Sequence, residues 1–148
     1  MAKAAIILAD AYTRLQTISV ANGYSSDYQH FNGRTGFQSS DLAPRAVTVL
    51  MFSEAIKQQS PGTRATGATI AAGLTIEAHA EQDPAVENGT TALQMATDIK
   101  KAFLANAWTT QLTRFSYSGF TWLAPEESGT ISVAVEFETE YSESYNNL

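Results

Sequence analysis

Residues 130–141 alternate apolar and polar side chains almost without a break. Ile131, Val133, Val135, Phe137 and Tyr141 fall on one side, and Ser132, Ala134, Glu136, Glu138 and Glu140 fall on the other. Successive residues of a strand point to opposite faces, so the pattern demands an extended strand with one buried face. It also fixes the register, since a slip by one residue would turn the whole apolar set into water.

Residues 69–81 repeat the pattern. Ile70, Ala72, Leu74, Ile76, Ala78 and Ala80 share one face, while Thr69, Thr75, Glu77, His79 and Glu81 share the other. Residues 46–52 are nearly all apolar, as expected for a strand covered on both sides, with Val47, Val49 and Met51 on one face. A weaker strand is expected over 28–34 and a further strand or loose hairpin over 115–123. Residues 35–43 are polar and punctuated by Gly and Ser, and read as a loop. Residues 58–67 carry Ser60, Pro61 and Gly62 and read as a turn.

Two stretches have helical spacing instead. Over 3–22, Leu8, Ala11, Leu15, Ile18 and Ala21 form a stripe with Asp10, Arg14 and Gln16 off it, and Gly23 is placed to cap the end. Asp83 and Pro84 are a helix-start signal interrupted by Asn88 and Gly89. A second helix is then expected over 90–106, with Leu93, Ala96, Ile99, Ala102 and Phe103 inward. The order implies an α+β fold, with an antiparallel or mixed sheet of four to five strands and two helices packed on one face. At 148 residues a single domain spanning 1–148 is expected, large enough to bury a core unaided.

Composition removes several functions. The chain has no cysteine, which excludes thiol catalysis, thiolate zinc and iron–sulfur sites. The apolar run 4–9 is far shorter than the roughly 20 residues of a membrane span and lacks a signal peptide's length, so a soluble, unexported protein is expected. The net charge of −6 is concentrated in 124–148, which hold Glu126, Glu127, Glu136, Glu138, Glu140 and Glu143 and no Lys or Arg. Lys and Arg elsewhere are scattered, only Lys100 and Lys101 being adjacent, so tight binding to a phosphate backbone is disfavoured.

Chemical motifs are equally sparse. The phosphate-binding Gly loop, the dinucleotide fingerprint and the paired-histidine zinc helix are missing. Glu77, His79 and Glu81 share a strand face and would suit acid/base work or a metal, but a solvated or interface-facing polar surface is the commoner use of such a face. Tyr117, Phe120 and Trp122 alternate with small polar residues like a base-stacking platform, yet no Lys or Arg interleaves them, which favours core or interface. Glu136, Glu138 and Glu140 repel one another on one face. Water, basic groups of another chain or a solvated channel must offset that cost.

The closing helix motif Ala21-Asn22-Gly23-Tyr24, the strand opening Pro44-Arg45-Ala46-Val47-Thr48-Val49, the strand from Ile70 to His79 and the helix from Asp83-Pro84 to Ala102-Phe103 occur in a particular order. With the final run Val133 to Tyr141, this order resembles the tail terminator proteins of long-tailed bacteriophages over most of the chain. The stretch 32–43 matches least. The resemblance implies a small α+β subunit that forms a homo-hexameric ring at the head-proximal end of the tail tube. One surface would bind the tail tube protein and stop its polymerisation, and the other would dock the head or neck connector protein. DNA would pass through without specific binding, with Glu136, Glu138 and Glu140 as a lumen or interface face that repels phosphate. Gln58, Gln59 and Arg64 are the candidate inter-ring loop. The location implied is the virion head–tail junction, after assembly in the host cytoplasm. No cofactor, metal or catalytic residue is expected. The alternatives are another head-to-tail joining protein, either head-completion or adaptor, and a small ligand-binding domain or enzyme using Glu77, His79 and the last-strand glutamates.

Overall fold

The computed structural model describes residues 3–32, 46–59, 66–105, 108, 114–123 and 129–145. The loop expected over 35–43 lies outside the described residues, as does most of the turn expected over 58–67. The elements run α1 (Lys3–Gln16), β1 (Gln29–Asn32), β2 (Ala46–Gln59), β3 (Gly67–Glu81), α2 (Asn88–Leu104), β4 (Arg114–Trp122) and β5 (Thr130–Ser144). They build one five-stranded sheet in the order β1-β2-β3-β5-β4. β1 runs parallel to β2 and every other pairing is antiparallel, so the α+β expectation resolves to a mixed sheet.

The strand alternation becomes the core directly. On β3 and β5 the side chains of Leu74, Ile76, Val133, Val135, Phe137 and Tyr141 are fully or almost fully buried, joined by Leu50 of β2. Both helices contribute to the same cluster, through Ile7, Ala11 and Leu15 of α1 and Ala92, Met95, Ala96, Ile99, Ala102 and Phe103 of α2. The alanines leave room for the helices to approach closely, and the aromatics fill what remains. Phe137 has Phe103 at 4.9 Å and Phe115 at 5.5 Å between ring centroids, and Trp108 closes the group at 4.7 Å from Phe115. Such pairs contribute about 1 kcal/mol each beyond the area they bury.

The helices depart from the expected phases in instructive ways. α1 ends at Gln16, and a separate 3-10 turn, Val20–Asn22, carries the chain to Gly23. Gly23 has φ +88° and donates its N–H to the Val20 carbonyl, the left-handed cap that its position suggests. In α1 the inward residues are Ile7, Ala11, Arg14 and Leu15, whereas Ala21 is exposed. In α2 the expected inward residue Leu93 is 56% exposed, because the packed face is centred on Ala92, Ala96 and Ile99. Small side chains at 92 and 96 permit a closer helix–sheet contact than Leu93 would.

The strands are longer than the apolar runs suggest. β2 continues from its apolar first half to Gln59, and residues 53–59 are all exposed. β1 is short and covers only Val47 to Leu50 of β2. Among the described residues no helix is long and apolar enough to cross a membrane.

Candidate functional site

The sheet face opposite the helices carries the acidic residues. Cross-strand pairing sets Glu136 opposite Thr75, Glu138 opposite Gly73 and Glu140 opposite Ala71 on β3, and on the other side Glu138 opposite Ser116 and Glu140 opposite Arg114 of β4. The three glutamates therefore share one face, as their spacing requires.

Their environments differ. Glu140 has a side chain only 10% exposed and lies between two cations, the Lys57 ammonium at 2.5 Å and the Arg114 guanidinium at 3.6 Å. Lys57 sits where the β2–β3 register shifts between Ile56 and Gln58. β3 presents only Ala71 and Gly73 at this level, which leaves the lysine stem a path across the strand. The Lys57 hydrogen bond lowers the Glu140 carboxyl below the usual carboxylate range. Desolvation opposes it, and the charges of Lys57 and Arg114 add to the lowering. Arg114 also reaches Glu138 at 3.7 Å, whose side chain is 62% exposed. Glu136 is exposed and makes no ion pair among the described residues. The repulsion along the strand is thus offset within the chain at Glu138 and Glu140, by cations of β2 and β4, without a second chain.

At the other end of the same face the expectation of a solvated polar surface is overturned. Glu77 and His79 are more than nine-tenths buried, together with Ser132 opposite His79 and the flanking Val47 and Val49. The His79 Nδ1 and Ser132 Oγ are 2.7 Å apart, and Glu77 Oε1 is 3.8 Å from His79 Nε2. Glu81 is exposed and stands apart. The three make a buried polar wedge rather than an open face. Among the described residues no group of three or more His, Asp or Glu is placed to hold a metal ion.

Of the candidate inter-ring loop, Gln58 and Gln59 are the exposed last residues of β2, and Gln59 Nε2 donates to the Tyr145 hydroxyl at 3.4 Å. Arg64 lies outside the described residues. Tyr117, Phe120 and Trp122 sit on the helix side of the edge strand β4. Tyr117 lies 5.8 Å from Phe137 with the Lys100 ammonium 5.2 Å from its ring, and Trp122 rests over Gly89 of α2. They cover the core margin, which is the packing use of that pattern.

Two polar centres on the helix side were not singled out by spacing. Arg14 is buried and donates to the carbonyls of Ala102 and Phe103 at 3.3 and 3.4 Å, with its guanidinium 4.3 Å from the Trp108 ring centre. It supplies donors and positive charge to the carbonyl end of α2. Asp98 is buried in α2 and accepts from Ser25 N–H at 3.2 Å, from the Ser25 hydroxyl and from the Tyr28 hydroxyl at 3.0 Å. Burial, then the Asp98 charge, pushes the Tyr28 hydroxyl well above its ordinary range and keeps it a donor. The buried position of Asp98 within the α2 pattern was the available signal, since a lone acid on an apolar stripe needs a partner.

A cleft of about 540 Å³ opens nearby between residues 25–27 and the turn at Asp83 and Pro84. Besides Glu81 at the end of β3, its acids are Asp27 and Asp83, which already accept backbone N–H groups, from Val20 and Ala85, each at 2.9 Å. They serve as turn anchors.

No known family profile matches the chain, and no curated protein matches it in sequence. Among solved structures it is similar to a chain from the virion of a native gene transfer agent particle. The TM-score is 0.55 over 92% of this chain and 93% of that one, at 16% identity. The two chains share a fold over nearly their whole lengths.

Proposed function

We propose that this protein is a structural subunit of a phage-like virion and acts as a tail terminator. In this reading it forms a homo-hexameric ring at the head-proximal end of the tail tube, stops tube polymerisation and offers the opposite surface to the head or neck connector. The observation that carries the reading is the shared fold with a virion chain across almost the full length of both molecules. The order of elements that resembles terminators points the same way. The reading assigns no catalytic step, cofactor or metal.

The acidic face refines it. Glu140 is held between Lys57 and Arg114, and Glu138, which is 62% exposed, shares Arg114 with it, so Glu136 and the exposed Glu138 are the residues that would repel phosphate along a DNA passage. The double variant Glu136→Lys/Glu138→Lys should keep the parent's mass and gain salt-sensitive binding to duplex DNA. A ring with these side chains on its outer rim would refute the lumen assignment.

The deciding experiment combines light scattering with electron microscopy of assembled tail tubes to which the purified protein has been added. A ring seen on one tube end supports termination. Binding to a connector complex while tubes stay bare reassigns the chain to another head-to-tail joining role, and a monomer that ignores both overturns the virion reading.

A further inference from the structure

Each margin of the sheet carries a length of strand edge that no strand among the described residues covers. β1 pairs with only four residues of β2, so on that side residues 51–59 have no strand partner among the described residues. At the other end lies β4, nine residues long and, among the described residues, paired only with β5. Each edge presents a row of backbone donors and acceptors, and natural sheets normally guard such rows with charge, proline or a covering element. Neither segment contains proline. The charged residues of the β2 edge are turned back over the sheet, Lys57 to Glu140 and Glu54 to the Tyr141 hydroxyl.

We propose that residues 51–59 of β2 pair antiparallel with β4 of a second copy of this chain, so that successive copies extend one continuous sheet. The inference rests on the ring reading above and names the surface that would close it. Direction is the first argument. β3 opposes β2, β5 opposes β3 and β4 opposes β5, so β4 runs against β2. Two copies side by side in the same orientation therefore meet with opposed strands, the more stable pairing.

Level is the second. Met51 lies level with Glu136 through Thr75, whereas Trp122 lies level with Val133. Matched faces require an even step, and a neighbour displaced by four residues, about 13 Å along the strands, sets Trp122 opposite Phe52, brings β4 alongside this segment and clears β1. A constant stagger between units is what closing a sheet into a barrel requires. Both edges also carry a register shift, at Ile56/Gln58 and at Tyr117/Gly119, and Gly119 has φ +144°. Bulges add the twist and bend that closure needs.

The third argument is apolar exposure. On the helix side of each edge stand the most exposed large side chains of the sheet, Ile56 at 58% on β2 and Tyr117 at 36% and Trp122 at 50% on β4. In the four-residue register Ile56 meets Tyr117, and Trp122 lies against Phe52. The two edges are different surfaces of one molecule, so the contact is head-to-tail and generates a ring when the rotation closes. A symmetric β2–β2 contact would leave Tyr117 and Trp122 bare.

The absence of cysteine makes the test clean. Cysteines introduced at exposed Ala55 on β2 and Ser118 on β4 are treated with a short thiol-to-thiol cross-linker, singly and together, in the full chain. The double variant should give a ladder of oligomers, neither single variant alone should cross-link, and a mixture of the two should give dimers. Adding Ile56→Lys to the double variant should cut the ladder about tenfold. Dimers from Ala55→Cys alone would overturn the proposal in favour of a symmetric edge. A ring mass by light scattering with no cross-linking would overturn the edge pairing and leave the ring reading intact. A monomer mass with no cross-linking would overturn both.

Discussion

Lys57 and Glu140 are 83 residues apart in sequence and form an ion pair across the intervening strand β3. The pair ties the end of β2 to the centre of the acidic face. Because the folded-state carboxyl lies below its ordinary range, the contribution is fully present above the ordinary carboxylate pKa and is lost as pH falls through the folded value. Lys57→Met should lower the thermal midpoint at pH 7, and the gap to the parent should narrow by pH 3. Thermal melts at the two pH values check this, and a gap independent of pH would contradict it.

Arg14 joins the two helices through the carbonyls of Ala102 and Phe103 and the Trp108 ring. Arg14→Met should cost about 2 kcal/mol, from the lost hydrogen bonds and the cation–π contact. Arg14→Lys should recover less than half of that, since an ammonium cannot both stack on the ring and reach two carbonyls. Urea unfolding of the three proteins provides the comparison.

Asp98 accepts three hydrogen bonds from the segment leading to β1. Asp98→Ala should cost about 3 kcal/mol and Tyr28→Phe about 1 kcal/mol, because the first leaves several donors stranded and the second removes one. The double variant should be less destabilised than the sum, since both changes break the Tyr28–Asp98 bond. Strict additivity in denaturant titrations would show the bond to be energetically silent.

His30 is held down to about 4, chiefly by burial and partly countered by a bond to the Ile18 backbone, with Thr48 Oγ1 at 2.6 Å from Nδ1. The unfolded chain binds this proton more readily, so stability is complete above about pH 6.5 and is lost as pH falls toward 4. After allowance for partial exposure the loss should be about 2 kcal/mol. His30→Gln should flatten the stability profile between those pH values, and parallel profiles for parent and variant would refute the role.

The central strands were legible because their pattern is local. Ile131 to Tyr141 and Ile70 to Ala80 alternate so regularly that face and register follow from sequence alone. Leu93 was misplaced because apolar residues at 92, 93, 95, 96 and 99 define a broad stripe, and hydrophobicity favours the leucine where packing favours the alanines beside it. The apolar pattern of β2 stops at Phe52, and the turn signals place Gln58 and Gln59 outside it, because residues 53–59 lack a buried face and their strand state is dictated by pairing with β3.

The acidic face shows the same division. That Glu136, Glu138 and Glu140 share a side was readable from their spacing. The neutralising of Glu140 was not, because its partners Lys57 and Arg114 arrive from other strands by tertiary pairing. Burial of Glu77 and His79 was hidden for a related reason. Their alternation with alanine shows which way they point and says nothing of what lies over them.

β5 follows every other strand in the chain and yet lies between β3 and β4 in the sheet. During synthesis, β3 must keep its inner margin vacant while α2 and β4 are made, and the sheet can knit only after residues 130–144 have left the ribosome. Pairs such as Gly67 with Ser144 set a long loop-closure step at the heart of the domain, the kind that slows folding and exposes a nascent chain to mispairing. A ribosome-stalled chain lacking the final strand should therefore be a client of chaperones rather than a smaller version of the same fold.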